Sequence, residues 1–369
     1  MADGLSFAIL GGYGQLGRAV AARLLDNGAD SVTIAGRSAE KAEDAARDLA
    51  GCNTARQVTS MRAEAEDEGS LAALLSGHDV VIHAAPLDGA ASTALPAALT
   101  QTGGRLVLVG HDTAAIADLQ AAGAALDRAG AKVIVDAGAD PGLPGLVGHL
   151  AAEAHGAAEG VEIAARYRAP EVGRAGLADI LEAASDAAWI YVSGWRRAGL
   201  FEVRRQAWPG GLGTSLAMPV YLPELDALRA RHQLRRLALW HGGLNGLADV
   251  VVSMRRVLGR LFPRGAALAA LDAAMRLANP PPYGLVISGT ATGQGRQVEV
   301  LQSHADVYEA TARIAAWCAE DLARERHPAP SIRVAFELLC DGDAKNRLQD
   351  LGFVLMFRGP TETHLPVKG

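Results

Sequence analysis

The chain has 369 residues, of which half are hydrophobic and 5% are aromatic, and its net charge is −6. This length allows two domains, each with a core of its own. The acidic balance provides no overall positive field, so we expect neither nucleic acid nor a membrane as a partner and predict an acidic soluble enzyme.

Cysteine content and the N-terminus indicate the compartment. Cys52, Cys318 and Cys340 lie far apart and form no C-x-x-C pair. A sparse, odd set argues against a disulfide framework and a structural zinc site, so no metal is predicted. The N-terminus lacks a basic stretch followed by an apolar one, and no apolar run reaches membrane-spanning length. We therefore predict a cytoplasmic protein.

The first 150 residues alternate between short apolar runs and alanine-rich stretches. The runs "FAIL", "SVTIA", "DVVIHAA", "RLVLV" and "KVIV" are rich in β-branched residues and do not alternate, which is typical of strands buried on both faces. In "QLGRAVAARLLDNG", Leu16, Val20 and Leu24 recur every four residues, as in a helix. Repeated strand–helix–strand units predict a doubly wound parallel sheet, a Rossmann domain, over residues 1–150.

The pattern changes near residue 160. "VEIAARYRA" alternates, which predicts a strand with one solvated face, and "ISGTATGQGRQVEVL" predicts two strands joined by a glycine-rich turn. Helical stretches lie around residues 174–187 and 246–277. We expect an α+β domain over residues 151–304, built on an antiparallel sheet with helices on one face. A further helix is predicted in "HADVYEATARIAAWCAEDLARE".

The stretch "GGYGQLGR" at residues 11–18 follows the first strand and opens the first helix. Its G-x-G-x-x-G pattern supplies a tight turn, a close approach for a pyrophosphate and close packing of helix on strand. The phosphates would lie at the positive end of the helix dipole. In this context the pattern predicts a dinucleotide site, and a glycine-rich turn without a ligand is the structural alternative. The predicted contact residues are Gly12, Tyr13, Gly14, Gln15, Leu16 and Gly17.

The end of the second strand indicates which dinucleotide binds. An NAD site usually places Asp or Glu here, to hold the ribose 2′-hydroxyl. This sequence has Gly36, Arg37 and Ser38 instead, with Lys41 one turn into the next helix. A 2′-phosphate is negatively charged and accepts fork-shaped arginine contacts, so we predict NADP. The alternative is that Arg37 and Lys41 are solvated surface charges.

The stretch "HAAP" at residues 83–86 ends the fourth strand, beside the expected topological switch of the sheet. This position predicts that Ala84, Ala85 and Pro86 lie on the nicotinamide side of the cofactor. His83 is more typical of a packing residue than of a catalytic one.

Asp140-Pro141-Gly142 turns the chain after the last strand of the first domain. As a structural residue, Asp140 would cap the following helix or open the turn. As a catalytic residue, it would orient a cationic amine or relay a proton. The residues alone leave both interpretations open.

Several motifs together carry a family resemblance. "GGYGQLGR", "AGRSAEKAE", "HDVVIHAAP" and "DAGADPGLPGL" occur in this order, and "ADVYEATARIAAWCAEDL" and "LQDLGFVLMF" follow near the C-terminus. They resemble the saccharopine dehydrogenase (saccharopine reductase-like) family. The resemblance implies that the Rossmann domain binds NADP or NAD and is completed by a C-terminal segment, about residues 305–369. It also implies that residues 151–304 hold the substrate and form a homodimer.

The resemblance further implies a reaction, the reduction of a C=N bond or the oxidation of the corresponding amine, on an amino-acid-derived substrate. Asp140 matches the catalytic-site Asp of the family's D-P-G turn. Where saccharopine-forming enzymes carry a Ser-Tyr pair, this chain reads "LVGHDTA", which puts His111 or Asp112 there. Their Cys-Gly-Gly is also missing, and "ARYRAPEVGRAG" stands in its place. These departures do not support the lysine-pathway substrate.

Hydride transfer requires a placed acceptor carbon and a positioned acid. Asp140 and His111 are the candidate catalytic residues. Arg166, Arg168 and Arg174 are the candidates to bind substrate carboxylates, although a solvated arginine face is the alternative.

Two other functions stay open. One is a carbonyl or enoyl reductase on the same scaffold, but the sequence has no Tyr-x-x-x-Lys of the short-chain dehydrogenase type. The other is an NADP-sensing protein that does not turn the cofactor over. The sizeable second domain and the D-P-G turn favour the enzyme.

Overall fold

The computed structural model describes residues 4–52, 56–87, 89–173, 176–178, 180–181, 188–199, 202–324 and 330–362. The chain forms two compact units. The first unit comprises Met1–Gly142 with Tyr308–Leu338, and the second comprises Leu143–Val307 with Leu339–Gly369. The helix predicted around residues 174–187 falls largely outside the described residues, and Arg174 lies outside them altogether.

The N-terminal part of the chain alternates strictly between strands and helices. Its elements are β1 Ser6–Leu10, α1 Gln15–Asp26, β2 Ser31–Gly36, α2 Ala39–Cys52, β3 Gln57–Arg62, α3 Glu68–Gly77, β4 Val80–His83, α4 Gly89–Thr102, β5 Arg105–Leu108, α5 Thr113–Ala121, α6 Gly123–Ala129 and β6 Lys132–Val135.

The middle of the chain supplies most of the second unit. Its elements are α7 Leu143–His155, β7 Gly160–Arg168, β8 Trp189–Val192, β9 Trp195–Arg197, β10 Arg204–Trp208, β11 Gly213–Val220, α8 Glu224–His232, β12 Arg236–Gly242, α9 Gly246–Leu258, a 3₁₀ turn Gly259–Leu261, α10 Arg264–Leu277, β13 Gly284–Gly293 and β14 Arg296–His304. The C-terminal elements are α11 Val307–Arg324, β15 Ile332–Val334, α12 Ala335–Cys340, α13 Ala344–Asp350 and β16 Val354–Glu362.

The first sheet has the strand order β15-β6-β5-β4-β1-β2-β3, and all of its pairs are parallel. The predicted doubly wound Rossmann sheet is therefore confirmed. The order reverses between β1 and β4, the point where such sheets bind dinucleotides outside the carboxyl ends of the strands. β4 is buried along its whole length and β1 along all but its first residue, as their apolar runs predict.

Two strands of this sheet carry no buried apolar run. β3, "QVTSMR", lies on one edge and is largely exposed or half-buried. β15 lies on the other edge and pairs in parallel with β6. Asp127 fixes its start, because one carboxylate oxygen accepts hydrogen bonds from both the backbone N–H and the hydroxyl of Ser331, at 3.1 and 2.5 Å.

The second sheet has the strand order β10-β11-β12-β7-β13-β14-β16, with β8 and β9 beside β12. It is mixed, because β7 and β12 pair in parallel while its other pairs are antiparallel. α7 packs closely on it: a Cβ on Gly148 would lie 2.8 Å from side-chain atoms of Ile163 and Leu228. The predicted α+β composition is confirmed, but the sheet is mixed rather than antiparallel as expected, because β7 and β12 run in parallel.

Three details differ from the sequence-based expectations. β7 is buried on both faces except near Glu162, because it lies in the middle of the sheet. The stretch 246–277 forms two helices, since Gly259 has a positive φ of 53° and Pro263 precedes the second helix. The segment 305–369 is expected to complete the Rossmann domain, but its last strand does not belong there. β16 pairs with β14 in the second sheet.

Candidate cofactor and catalytic site

The turn between β1 and α1 brings three stretches of backbone together. Gly11 has a φ of +85°, and a Cβ there would lie 2.8 Å from the nitrogen of Ala85. A Cβ on Gly12 would lie 2.8 Å from the carbonyl oxygen of Ile9. A side chain at either position would push the chain away from β1 or from the loop after β4. The glycines therefore set the shape of this edge of the sheet.

Gly17 and Gly14 take the roles that the glycine pattern predicts for the helix. A Cβ on Gly17 would collide with the carbonyl oxygen of Gly11, so α1 can pack this close only with glycine there. Gly14 is exposed and is the N-cap of α1, with no side-chain hydrogen bond to cap the helix. The first N–H groups of a helix have no partner within it, and at this end they provide donors for a phosphate.

The end of β2 lies beside this turn. The ring of Tyr13 covers Gly36, where any side chain would collide with the ring. Ser38 immediately precedes α2, and its hydroxyl accepts a hydrogen bond from the Lys41 N–H at 3.3 Å. Arg37 and Lys41 are exposed, and neither makes an ion pair with any residue that the structure describes. Both cations are thus available to an anionic group beyond the turn.

The loop after β4 is the second wall of the cradle. The Ala84 N–H donates to the carbonyl of Leu10 at 2.9 Å, so residues 84–86 run alongside the glycine turn. Ala84 and Ala85 are half-buried and Pro86 is exposed. His83 is 1% exposed, and burial lowers its pKa to about 4. His83 is therefore a neutral packing residue, the interpretation that the sequence favoured.

A histidine–aspartate pair lies at the carboxyl edge of the same sheet. His111 follows β5, and its Nδ1 donates to Oδ1 of Asp136 at 2.8 Å, just after β6. The Asp136 side chain is 3% exposed, whereas that of His111 is 24% exposed. Asp136 has a φ of 57°, a left-handed conformation that costs a non-glycine residue about 1 kcal/mol. The backbone is thus held in an unfavourable conformation that directs the carboxylate to the ring.

The charges around His111 favour its protonated form. Burial lowers the pKa of His111, but the hydrogen bond to Asp136 and the negative charges of Asp136, Asp112 and Asp140 outweigh burial and raise it. The bond at Nδ1 fixes the tautomer and leaves Nε2 beside the hydroxyl of Thr113, at 3.3 Å. The neighbouring Asp112 caps α5 by accepting from the Ala115 N–H at 2.7 Å. The pair therefore resembles the buried Asp–His arrangement of a proton donor.

Asp140 lies on the turn that closes this corner. It is exposed and contributes to the raised pKa of His111, so the structure brings the two predicted catalytic residues into one electrostatic neighbourhood. Gly142 has a φ of +128°, and a Cβ there would lie 2.5 Å from the Gly138 carbonyl oxygen. The next helix begins at Leu143, so Asp140 does not stand at the N-cap position immediately before it.

The predicted substrate arginines have other partners. Arg166 is 5% exposed and donates to the carbonyl oxygens of Gly243, Leu212 and Leu244. Arg168 is 8% exposed and donates to the Pro280 carbonyl oxygen at 2.5 Å. Neither residue lies on a solvated face. Their guanidinium groups tie loops of the second unit together, and a role in substrate binding stays a prediction.

The residues fit a dinucleotide phosphate. A Cβ on Gly11, Gly12 or Gly17 would collide with neighbouring backbone, and the cradle opens on the N-terminus of α1. The two cations that follow β2 make no ion pair with a described residue. Such a site binds anions through backbone N–H groups and the helix dipole.

Comparisons with known proteins find a family match in the N-terminal part of the chain. Residues 7–104 match the family model of the saccharopine dehydrogenase NADP binding domain. The predicted resemblance is thereby confirmed over these residues, and so is the predicted cofactor, NADP.

One solved structure agrees on the fold over nearly the whole chain. Apo saccharopine dehydrogenase (L-Glu forming) from Saccharomyces cerevisiae has a TM-score of 0.71 and 14% identity, over 97% of this chain and 100% of that chain. GenD2 from gentamicin A biosynthesis, in complex with NAD, has a TM-score of 0.45 and 12% identity, over 95% and 96% of the two chains. No curated protein sequence matches the chain.

Sequence reasoning missed two residues of this candidate site. Asp136 stands at the end of "KVIV", where an acidic residue at a strand's carboxyl end could have drawn attention. Its pairing with His111, 25 positions away, depends on β5 and β6 being neighbours. Gly11 precedes the G-x-G-x-x-G pattern, yet it is the glycine of this turn with a positive φ.

Proposed function

We propose that this protein transfers hydride between NADP and a C=N or C–N bond of an amino-acid-derived substrate, with His111 as the proton donor. The observation that carries the proposal is the His111–Asp136 pair beside Asp140, at the sheet edge that also forms the cofactor cradle. The same edge of such a sheet binds both the dinucleotide and the substrate.

The bound cofactor supplies the hydride for reduction. Reduction of an imine adds that hydride to carbon and a proton to nitrogen, so the protein must deliver or retain one proton. His111 can hold this proton on Nε2 while Asp136 accepts the Nδ1 hydrogen and stabilises the imidazolium. Asp140 adds negative charge that favours a cationic iminium group and the protonated ring.

The cofactor contacts are part of the same proposal. Gly14, Gln15 and the helix N-terminus bind the pyrophosphate, and Arg37, Ser38 and Lys41 bind the 2′-phosphate. The exposure of Arg37 and Lys41 supports this assignment. The loop of residues 84–86 lies on the nicotinamide side, because it runs beside the glycine turn at the switch point of the sheet.

The remaining proposals concern the role of the second unit, the oligomeric state and the location in the cell. We infer that the second unit binds the substrate and forms a homodimer, as in the family that the sequence resembles. We also infer a cytoplasmic location, because Cys52, Cys318 and Cys340 are all free thiols. Among the described residues, none of the helices has the length and apolar character to cross a bilayer.

The test is NADPH oxidation by the purified chain with mixtures of amino acids and oxo acids. We expect turnover only when amine and carbonyl compound are both present, and a much reduced rate for His111→Gln with unchanged NADPH affinity. Turnover with a carbonyl or enoyl compound alone would show the alternative reductase. NADPH binding without turnover of any such mixture, and His111→Gln indistinguishable from wild type in every assay, would favour the sensor.

A further inference from the structure

The ring of Tyr13 lies over the end of β2. Tyr13 is half-buried on the turn after β1, and Gly36 is the buried last residue of β2. A Cβ on Gly36 would collide with Cε1 of Tyr13 and would lie 3.0 Å from its Cζ and 3.1 Å from its Cδ1. The three atoms nearest to that Cβ all belong to the ring, so the ring occupies the space that a side chain at position 36 needs.

The backbone does not itself require glycine at position 36. Gly36 lies in an extended strand and is not one of the glycines with a positive φ, so other residues could adopt its backbone conformation. Gly11 in the neighbouring turn, with a φ of +85°, is the contrasting case. What excludes a side chain at position 36 is therefore the ring of Tyr13.

Hydrogen bonds on both sides hold the end of β2 in place. The Ala35 carbonyl oxygen accepts from the N–H groups of Gly11 and Gly12, at 2.9 and 3.1 Å. The Gly36 carbonyl oxygen accepts from the Ala63 N–H at 3.1 Å, just after β3. A new side chain at position 36 would therefore displace the ring rather than the strand.

The turn that carries Tyr13 is also held. The Arg18 Nε donates to the Tyr13 carbonyl oxygen at 3.3 Å, and the Arg18 Nη1 pairs with Asp48 of α2 at 3.0 Å. Arg18 thus links the turn to the helix that follows β2. Rotation of the Tyr13 side chain is then the remaining way to free the space over Gly36.

This space has a defined use in dinucleotide sites. An NAD site usually places Asp or Glu at the end of the second strand, where the carboxylate holds the ribose 2′-hydroxyl. Gly36 stands there in this chain, and the next acidic residue is Glu40, exposed in the first turn of α2. We propose that Tyr13 is a cofactor-specificity residue, because its ring takes the place of this carboxylate and keeps an acidic side chain out of position 36.

Tyr13 and Arg37 act on the choice of cofactor in different ways. A carboxylate at position 36 would accept a hydrogen bond from the 2′-hydroxyl of NAD and would repel the 2′-phosphate of NADP. Arg37 attracts the phosphate, whereas the ring excludes the carboxylate. The proposal concerns the cofactor alone, so it is tested separately from the reaction proposed above.

The first test is made without cofactor, by chemical denaturation. Gly36→Ala should lower the denaturant concentration at the midpoint of unfolding, because its Cβ meets the ring. In a Tyr13→Ala background the same substitution should leave the midpoint unchanged or raise it, since alanine restricts the unfolded chain more than glycine does. An equal fall in both backgrounds would overturn the proposal. Tyr13→Ser takes the place of Tyr13→Ala if that variant does not fold.

The second test measures NADPH and NADH affinity by fluorescence titration. Gly36→Asp should weaken NADPH binding at least about tenfold and give no gain in NADH affinity, because the ring blocks the carboxylate. Tyr13→Ala with Gly36→Asp should bind NADH at least about tenfold more tightly than Gly36→Asp does, because the carboxylate then has room.

Two controls separate the ring from other effects. Tyr13→Phe with Gly36→Asp keeps the ring and should behave as Gly36→Asp does. Gly51→Asp adds the same charge in open space on α2 and should leave both affinities unchanged.

Two results of the titrations would also overturn the proposal. One is an NADH affinity of Gly36→Asp that equals that of the double variant, which would mean that the ring yields freely. The other is a double variant whose change in affinity is the product of the two single changes, because residues that compete for one space are coupled. Neither test depends on turnover, so a failure of the proposed reaction would appear separately, in the NADPH oxidation assay.

Discussion

The two units of this chain use arginine in opposite ways. Arg37 in the first unit is exposed after β2 and makes no ion pair with a described residue, so its charge is free to meet a phosphate. Arg166 in the second unit is buried, and its guanidinium donates to three backbone carbonyls. Sequence position made both of them candidate ligand contacts. The exposure of Arg37 leaves its charge available to a ligand, whereas Arg166 is buried among backbone carbonyls and holds loops together.

Among the changes that compare the two units, substitution of a glycine in the first unit has the largest expected effect on stability and NADPH affinity. In Gly17→Ala the new Cβ would collide with the Gly11 carbonyl oxygen, and rigid backbone has to move. We expect unfolding free energy to fall by about 3 kcal/mol and NADPH affinity to fall at least about 100-fold. Chemical denaturation and fluorescence titration with NADPH measure the two effects.

Gly148→Ala in the second unit is the matched control. Its Cβ would lie 2.8 Å from side-chain carbons of Ile163 and Leu228, which can shift more easily than backbone. It should lower stability by about 1–2 kcal/mol and leave NADPH affinity unchanged. Equal NADPH affinities for the two variants would mean that the turn at Gly17 does not shape the cofactor site.

Arg166→Met tests the structural use of arginine. The substitution leaves the Gly243, Leu212 and Leu244 carbonyls without their donor, so stability should fall by about 3 kcal/mol. NADPH affinity should not change. Arg235→Met, at an exposed position, is the control and should be nearly neutral. A stable Arg166→Met protein with a raised KM for its substrate would restore the substrate-binding interpretation.

Arg37→Ala tests the binding use of arginine. Loss of a charge-assisted contact to the 2′-phosphate is worth about 1.5–3 kcal/mol, so NADPH should bind about 10- to 100-fold more weakly while NADH is unaffected. Arg47→Ala, on the exposed side of α2 and paired with Asp44, should leave both affinities as they are. A preference for NADPH that survives Arg37→Ala would refute the role of Arg37.

The fold was largely predictable because its signals are local. Five buried runs and one glycine turn are enough for a doubly wound sheet, whereas β3 was missed because it is a polar edge strand with no apolar run. The His111–Asp136 pair was only half predictable. His111 stood out by comparison with the family pattern, but a positive φ at Asp136 and a partner 25 residues away depend on tertiary structure. The burial of Arg166 is likewise decided by loops remote in sequence.

Asp136→Asn gives the smallest expected change in stability and the sharpest test of the catalytic corner. The amide keeps the size of the side chain but removes its charge, so the pKa of His111 should fall. A raised pKa in the folded state stabilises the protein fully below the unfolded value of about 6.5, and this stability is lost as pH rises through the folded pKa. In Asp136→Asn the stabilisation that comes from the raised His111 pKa should be smaller. Less stability should therefore be lost as pH rises from the unfolded pKa to the folded pKa of His111. NMR titration of the His111 ring measures the shift directly, and Asp118→Asn on α5 is a control outside the pair. An unchanged His111 pKa in Asp136→Asn would show that the carboxylate does not govern the proton on His111, and the proposed donor would lose its support.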